Sequence, residues 1–301
     1  MKKIIIGNEC NGDWAKQIIN YLVKISYPNH KIKWENENCN FIVSSHFGEK
    51  WNNEKKPYIY WSGEHTSISD LNKNHSEYMI IDTLITDKLN YYYIPFICMS
   101  PYLLKTRLFI NRDRAFFIAY CSSSLYKHRE DFFNLCIENY PKKPATNYIK
   151  SLGKCFGKYK DSNNKIEGTW TSENLIKEYS KFNFVLAMEN SKKKGYVTEK
   201  IINVFAAGAI PVFWGDDIVT QFFNKKAFIN ISDFDNFESC VKYIINLKIK
   251  EIHDMMNEPI FNWNNNRINE ILEIDYYPPN QYYKNIANKL KEIIDKTIRL
   301  I

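Results

Sequence analysis

One segment, Phe182 to Gly215 (FNFVLAMENSKKKGYVTEKIINVFAAGAIPVFWG), constrains what this chain can fold into more than any other. Phe182 to Met188 is a near-continuous apolar run of strand length. Glu189 to Val197, with three lysines and Gly195, reads as a polar loop. Thr198 can cap a helix whose inner face carries Ile201, Ile202, Val204, Phe205 and Ala206. Gly208 stops that helix, and Ile210 to Trp214 forms a second buried strand. A strand–loop–helix–strand unit of this kind is the building block of an open parallel sheet.

Lys200 falls in the first turn of that helix, where the macrodipole disfavours a cation by about 0.3–1 kcal/mol. A broken local rule of this sort is expected where an anion binds, because backbone N–H groups and a lysine can share one phosphate. The plainer alternative is a solvated surface lysine. Glu199 suits the dipole and serves either as helix-start chemistry or as a ligand for sugar hydroxyls.

Taken together, Glu189-Asn190, Tyr196-Val-Thr-Glu-Lys200 and Ala-Ile-Pro-Val-Phe-Trp-Gly215 closely resemble the signature of the α-1,3/1,4-fucosyltransferases, glycosyltransferase family 10. The resemblance implies an α/β GT-B fold of two Rossmann-like domains facing a cleft, a GDP-fucose donor, and inversion at the sugar carbon. It also implies an oligosaccharide or glycan acceptor, with a hydroxyl of N-acetylglucosamine or glucose as the attacking group. None of these follows from periodicity or composition.

At 301 residues the chain is long enough for two domains of about 100–200 residues each. Aromatics make up 16% of it, which suits stacking on sugars or bases, although aromatic cores are the commoner cause. The net charge of +7 favours anionic partners but is spread along the chain. Seven scattered cysteines show no CxxC pair and no zinc-like spacing, and read as reduced thiols. The basic start MKKIIIGNEC has too short an apolar core for a signal peptide, and no apolar run approaches the roughly 20 residues that span a bilayer. A cytoplasmic location is expected. Secretory-pathway members of the resembled family differ in carrying a membrane anchor.

Along the chain, strands are expected at Lys2–Ile6, Lys31–Trp34, Phe41–Ser44, Tyr58–Trp61, Glu77–Thr86 and Tyr91–Met99, with a helix over Asp13–Ser26. Ser100 to Asp113 reads as the domain connection. A strand at Ala115–Tyr120, a serine turn at 122–124 and a helix from about Tyr126 to Tyr140 follow, the helix burying Phe132, Phe133, Leu135, Cys136 and Ile137. Leu152–Gly157 resembles a strand end, Ser172–Tyr179 a short helix, and Asp235–Leu247 and Ile249–Met256 two more. Gln281–Ile301 is amphipathic, with Tyr283, Ile286, Leu290, Ile293, Ile294, Ile298 and Ile301 on one face. The expected domains are 1–106 on the acceptor side, 107–275 on the donor side, and 276–301 as a terminal helix packing back on the first domain.

Glu64 follows a buried strand at a Gly-containing turn, and Trp61-Ser-Gly-Glu64 resembles the family segment that holds its general base. A well-placed carboxylate contributes roughly 10²–10⁴-fold to such a reaction. His65 beside it either tunes the carboxylate, holds acceptor or is an ordinary turn histidine. Arg129, in Arg129-x-x-Phe132-x-x-Leu135, resembles the family arginine that contacts the donor diphosphate, with His128 the near alternative in register. By the same resemblance Lys200 takes a second phosphate contact, with the amides of the Thr198 helix beside it. Glu199 takes the ribose hydroxyls, while Asn190 and Tyr196 line the donor pocket. Glu189 either binds fucose hydroxyls or braces the loop. Lys192 to Lys194 are most simply a solvated loop. No metal and no further cofactor are expected, since Asp216-Asp217 after a Gly turn resembles a helix start more than a metal pair.

Three other readings compete. The same fold could use another sugar nucleotide. A dehydrogenase-like nucleotide domain would need G-x-G-x-x-G or G-x-x-x-x-G-K-[ST], and neither is present. A nucleic-acid-binding protein would need a recognisable module or a concentrated basic stripe, which the sequence lacks.

Overall fold

The computed structural model describes residues 2–8, 15–45, 56–66, 77–100, 102–103, 107–110, 113–169, 171–268 and 279–298. The chain divides into two compact units. One contains Met1–Met99, Lys193–Tyr196 and Asn269–Ile301, the other Ser100–Lys192 and Val197–Ile268.

The first unit is built on a six-stranded sheet of β1 (Lys3–Asn8), β2 (Lys31–Trp34), β3 (Phe41–Ser45), β4 (Tyr58–Ser62), β5 (Tyr78–Asp82) and β6 (Tyr91–Tyr93). Its order is β2-β1-β3-β4-β5-β6, and every pair is parallel. Central strands of a parallel sheet are covered on both faces and therefore read as unbroken apolar runs. Every residue of β3 and β4 is buried, which is why Phe41–Val43 and Tyr58–Trp61 show no alternation. Helix α1 (Lys16–Ser26) buries Ile18, Ile19, Leu22 and Val23. The last helix, Gln281–Ile298, packs on it: Ser26 Oγ donates to Ala287 O at 2.7 Å, and Tyr27 OH meets Asp295 Oδ1 at 2.8 Å.

The strand expected over Tyr91–Met99 stops at Tyr93. Pro95 cannot donate to a ladder, and Phe96–Met99 coils into a 3₁₀ turn instead. Asp13, Trp14 and Ile301, placed in helices from the sequence, lie outside the described residues.

The second unit holds β7 (Phe116–Tyr120), α2 (Lys127–Asn139), β8 (Ile149–Ser151), α3 (Glu173–Tyr179), β9 (Phe182–Met188), α4 (Glu199–Ala206), β10 (Ile210–Trp214), α5 (Val219–Phe222), β11 (Ile229–Asn230), α6 (Phe237–Asn246) and α7 (Ile249–Asn257). Helix α8 (Gln281–Ile298) completes the chain in the first unit. The sheet order is β11-β10-β9-β7-β8, again all parallel. The strand read at Leu152–Gly157 lies earlier, at Ile149–Ser151, where Ile149 and Ser151 point into the core. Residues 152–157 form a loop bonded to Ser122. In α2, Asn134 is buried while Leu135 is only partly so, because the Asn134 amide oxygen accepts from Lys158 N at 2.9 Å.

Thr198 caps α4 and Gly208 ends it at φ +68°, a left-handed conformation that glycine adopts without strain. A Cβ there would lie 2.2 Å from Phe109 O. Arg114 reinforces this end by donating to the carbonyls of Ala207 and Gly208, where unpaired helix carbonyls need partners.

Candidate active site

In the second sheet β8 lies on one side of β7 and β9 on the other, so the direction of winding reverses between β7 and β9. Open parallel sheets bind ligands beyond the carboxyl ends of the strands at such a reversal, because the two flanking loops part there. The segments leaving β7 and β9 at this point carry Ser122 and Glu189-Asn190.

Arg129 sits in the first turn of α2, a poor place for a cation by the helix dipole alone, and is only 5% exposed. Its Nη2 donates to Asn190 Oδ1 at 2.6 Å and its Nη1 to Ser122 Oγ at 3.2 Å. Its guanidinium lies 4.7 Å from the Tyr126 ring centroid, and its Nε is buried without a hydrogen-bond partner. Among the described residues its polar partners are therefore neutral. A buried guanidinium held by neutral groups retains its capacity to bind an anion, and its fork geometry fits two phosphate oxygens.

His128, the neighbouring candidate, has a different position. Its Nε2 lies 3.0 Å from Glu189 O, and its ring stacks on Trp214 at 4.0 Å between centroids. Burial lowers its pKa, the carbonyl contact acts the other way, and the Arg129 charge adds to the lowering.

The first turn of α4 is tied to the end of β9 through Glu189, whose side chain is 0% exposed. Thr198 N donates to Glu189 Oε1 at 2.7 Å, and the Thr198 hydroxyl lies 2.9 Å from both carboxylate oxygens. Lys200 Nζ lies 3.0 Å from Glu189 Oε2 and 3.0 Å from Thr198 Oγ1. Glu189 is thus bonded to the first turn of α4 on both carboxylate oxygens. It also takes the Thr198 amide, one of the helix-start donors the sequence offered to a phosphate.

Lys200 remains 26% exposed. Burial works against its charge, but the Glu189 and Glu199 carboxylates outweigh that and raise its pKa, while Arg129 opposes them. The lysine is therefore held cationic in the field of a second cation. Burial raises the Glu199 pKa, Lys200 lowers it and Glu189 raises it further.

Glu64 and Tyr196 belong to the first unit. Glu64 is partly exposed in the turn after β4, with Oε2 3.9 Å from His65 Nδ1. Gly63 is required by space: a Cβ there would lie 2.5 Å from the Trp61 ring and 2.6 Å from Phe96. Tyr196 is 3% exposed, and its ring centroid lies 6.1 Å from that of His65. The lysine loop is anchored to this unit through Ile85 N donating to Lys194 O at 2.8 Å and Tyr93 OH donating to Gly195 O at 3.1 Å. Lys192 to Lys194 are exposed.

The structure therefore gathers Arg129, Glu189, Asn190, Thr198, Glu199 and Lys200 in the second unit, and Glu64 with Tyr196 in the first. Sequence reasoning missed Ser122 as a partner of Arg129 and the Trp214–His128 stack. Asp216 Oδ1 accepts from Ile218 N at 2.8 Å, a turn that leads into α5. Among the described residues no three His, Cys, Asp or Glu side chains gather as a metal site would. Nor is any helix among them long and apolar enough to cross a membrane.

Comparison with known proteins reaches part of this site, the segment from Glu189 to Lys200. Residues 133–290 match the family described as glycosyltransferase family 10 (fucosyltransferase), C-terminal part. The chain is 30% identical over 271 residues to a candidate fucosyltransferase of Acanthamoeba polyphaga mimivirus, covering 86% of this chain and 42% of that protein. It is 34% identical over 116 residues to an α-(1,3)-fucosyltransferase of Helicobacter pylori, covering 38% of this chain and 23% of that one. The chain thus spans less than half the length of these relatives.

In fold it resembles the crystal structure of an α1,3-fucosyltransferase with GDP-fucose, at TM-score 0.63 and 18% identity over 98% of this chain and 91% of that one. A DNA-modifying β-glucosyltransferase aligns at TM-score 0.52 and 13% identity over 97% of this chain and 99% of that one. Both likenesses bear on the fold, two parallel α/β sheets of the GT-B type. With more than half its length inside the family's own match, the chain belongs to glycosyltransferase family 10, the fucosyltransferases.

Proposed function

We propose that the chain transfers L-fucose from GDP-fucose to a hydroxyl of an N-acetylglucosamine- or glucose-containing acceptor, forming an α-1,3 or α-1,4 linkage with inversion at the sugar carbon. The observation that carries the proposal is Arg129: a buried cation at the winding reversal, held by neutral partners and sharing its surroundings with Lys200. Family membership narrows the anion to a sugar nucleotide. The α1,3-fucosyltransferase of similar fold that contains GDP-fucose supports that donor.

In this scheme Glu64 takes the proton from the acceptor hydroxyl as its oxygen bonds to the fucose carbon. The bond from that carbon to the donor's diphosphate oxygen breaks, its electron pair leaves with GDP, and Arg129 and Lys200 stabilise the growing negative charge. Glu199 binds the ribose hydroxyls, and Asn190 and Tyr196 line the donor pocket. Glu189 holds Thr198 and Lys200 in place rather than touching the sugar. The reaction needs no divalent metal in this account. A cytoplasmic location is proposed with it, on the ground that the described cysteines are free thiols, most of them buried.

The test is incubation with GDP-fucose, GDP-mannose, UDP-glucose or UDP-galactose, each against N-acetyllactosamine, lacto-N-biose and lactose, with products identified by mass. Transfer from GDP-fucose alone is expected. Transfer from a uridine donor in its place would overturn the donor assignment.

A further inference from the structure

Beyond the residues assigned above, the first unit buries a carboxylate that the reaction scheme does not use. Asp82 ends β5 beside Ser62, its ladder partner at the end of β4, and Ser62 opens the turn that carries Glu64. Asp82, Ser62 and Thr83 are each 1% exposed or less. Leu84 N donates to Asp82 Oδ1 at 2.9 Å, while the Ser62 hydroxyl and the Thr83 amide also face the carboxylate. Oδ2 is buried with no hydrogen-bond partner.

The same turn is held from its other sides. Thr83 N donates to Ser62 O at 3.0 Å, and Thr83 Oγ1 accepts from Phe96 N at 3.1 Å. Phe96 lies 5.9 Å from the Trp61 ring and closes the space in which a Gly63 side chain would lie. The direction in which the chain leaves β4 is thus set by Asp82 and Thr83 through Ser62, and by Phe96 against Gly63.

An ionised carboxylate is an expensive group to place here. Among the described residues its charged or titratable neighbours are Lys88, which favours ionisation, and Tyr91, and none of those residues pairs a cation with it directly. Burial pushes its pKa up to about 6 against the attraction of Lys88 and the surrounding donors. A neutral amide of the same shape would avoid that cost. It would, however, turn an NH₂ group toward one of the donors that now face the carboxylate. Groups that cost stability where a neutral one would fit are expected beside functional sites.

We infer that Asp82 is a positioning residue for Glu64: its carboxylate fixes Ser62 and so aims the turn that presents the base. This rests on the assignment of Glu64 under the proposed function.

The test compares the parent chain, Asp82→Asn, Glu64→Gln and the double variant, using GDP-fucose and N-acetyllactosamine at pH 7.5. Asp82→Asn is expected to lower kcat at least about 10-fold, within the range assigned to a misplaced general base. It should leave the donor KM within about 2-fold while raising the thermal unfolding midpoint. Adding Asp82→Asn to Glu64→Gln should cause little further loss, since residues acting through one group are not additive. Parental turnover in Asp82→Asn overturns the inference, as does a joint fall of activity and stability, the signature of a merely structural group. Parental turnover in Glu64→Gln would instead overturn the base assignment itself, whatever Asp82 does.

Discussion

Lys200 Nζ and Glu189 Oε2 lie 3.0 Å apart, with the glutamate side chain wholly buried and the lysine side chain a quarter exposed. The pair joins the end of β9 to the first turn of α4, and it explains how a cation is held where the helix dipole opposes it. Removing the carboxylate leaves Lys200 without its restraint and the Thr198 amide without its acceptor. Glu189→Ala should therefore lower stability by about 2–4 kcal/mol, the cost of breaking a buried hydrogen-bonded pair. Denaturant unfolding measures this. A loss below about 0.5 kcal/mol would mean that the pair is not a brace.

Arg129→Ala and Lys200→Ala should weaken GDP binding and lower turnover, with turnover suffering more. Charge on the diphosphate grows as the glycosidic bond breaks, so in the proposed scheme these cations contact the transition state better than the ground state. Steady-state kinetics in GDP-fucose, alongside calorimetric titration with GDP, separates the two effects. Unchanged kinetics in either variant would return that residue to a purely structural role.

Glu64→Gln should bind GDP nearly as the parent does and turn over about 100-fold or more slowly, as a lost general base requires. Should its rate stay within a few-fold of the parent, His65 becomes the next base to examine.

Asp82 gives a pH signature with a definite sign. Its folded pKa of about 6 lies above the ordinary 3.8, so the folded chain retains a proton that the unfolded chain has already lost between those values. Stability contributed by this group is intact below about pH 3.8 and falls as pH rises toward 6. Asp82→Asn does not titrate. It should match the parent near pH 4 and exceed it by about 2–3 kcal/mol above pH 6, the free-energy equivalent of such a shift. Unfolding at both pH values checks the crossover, and an equal effect at both would contradict it.

Turnover should survive exhaustive chelation if, as proposed, Arg129 and Lys200 supply the positive charge that a metal would bring. Complete loss, restored by manganese or magnesium, would contradict this and direct attention to Asp216 and Asp217.

Much of this was legible in the sequence, for identifiable reasons. The runs 182–188 and 210–214 are apolar because β9 and β10 are covered on both faces, and Thr198 and Gly208 mark the ends of α4 by their own conformational chemistry. What stayed hidden depended on tertiary direction. Nothing local shows whether Glu189 faces a pocket or a helix start, since either suits a carboxylate after a strand. His128 and Arg129 are adjacent, and only the onset of α2 at Lys127 turns the arginine toward Ser122 and Asn190. Asp82 left one faint signal, a lone carboxylate closing the apolar run Met79-Ile80-Ile81.

The most direct test of the central claim is the initial rate of GDP release from GDP-fucose in the presence of N-acetyllactosamine, in the parent and in Arg129→Ala. GDP release matched by fucosylated acceptor is expected in the parent, and a rate about 100-fold lower in the variant, the usual cost of removing a charge-stabilising donor. An equal rate in the two proteins, or turnover of a different sugar nucleotide with none of GDP-fucose, would contradict it.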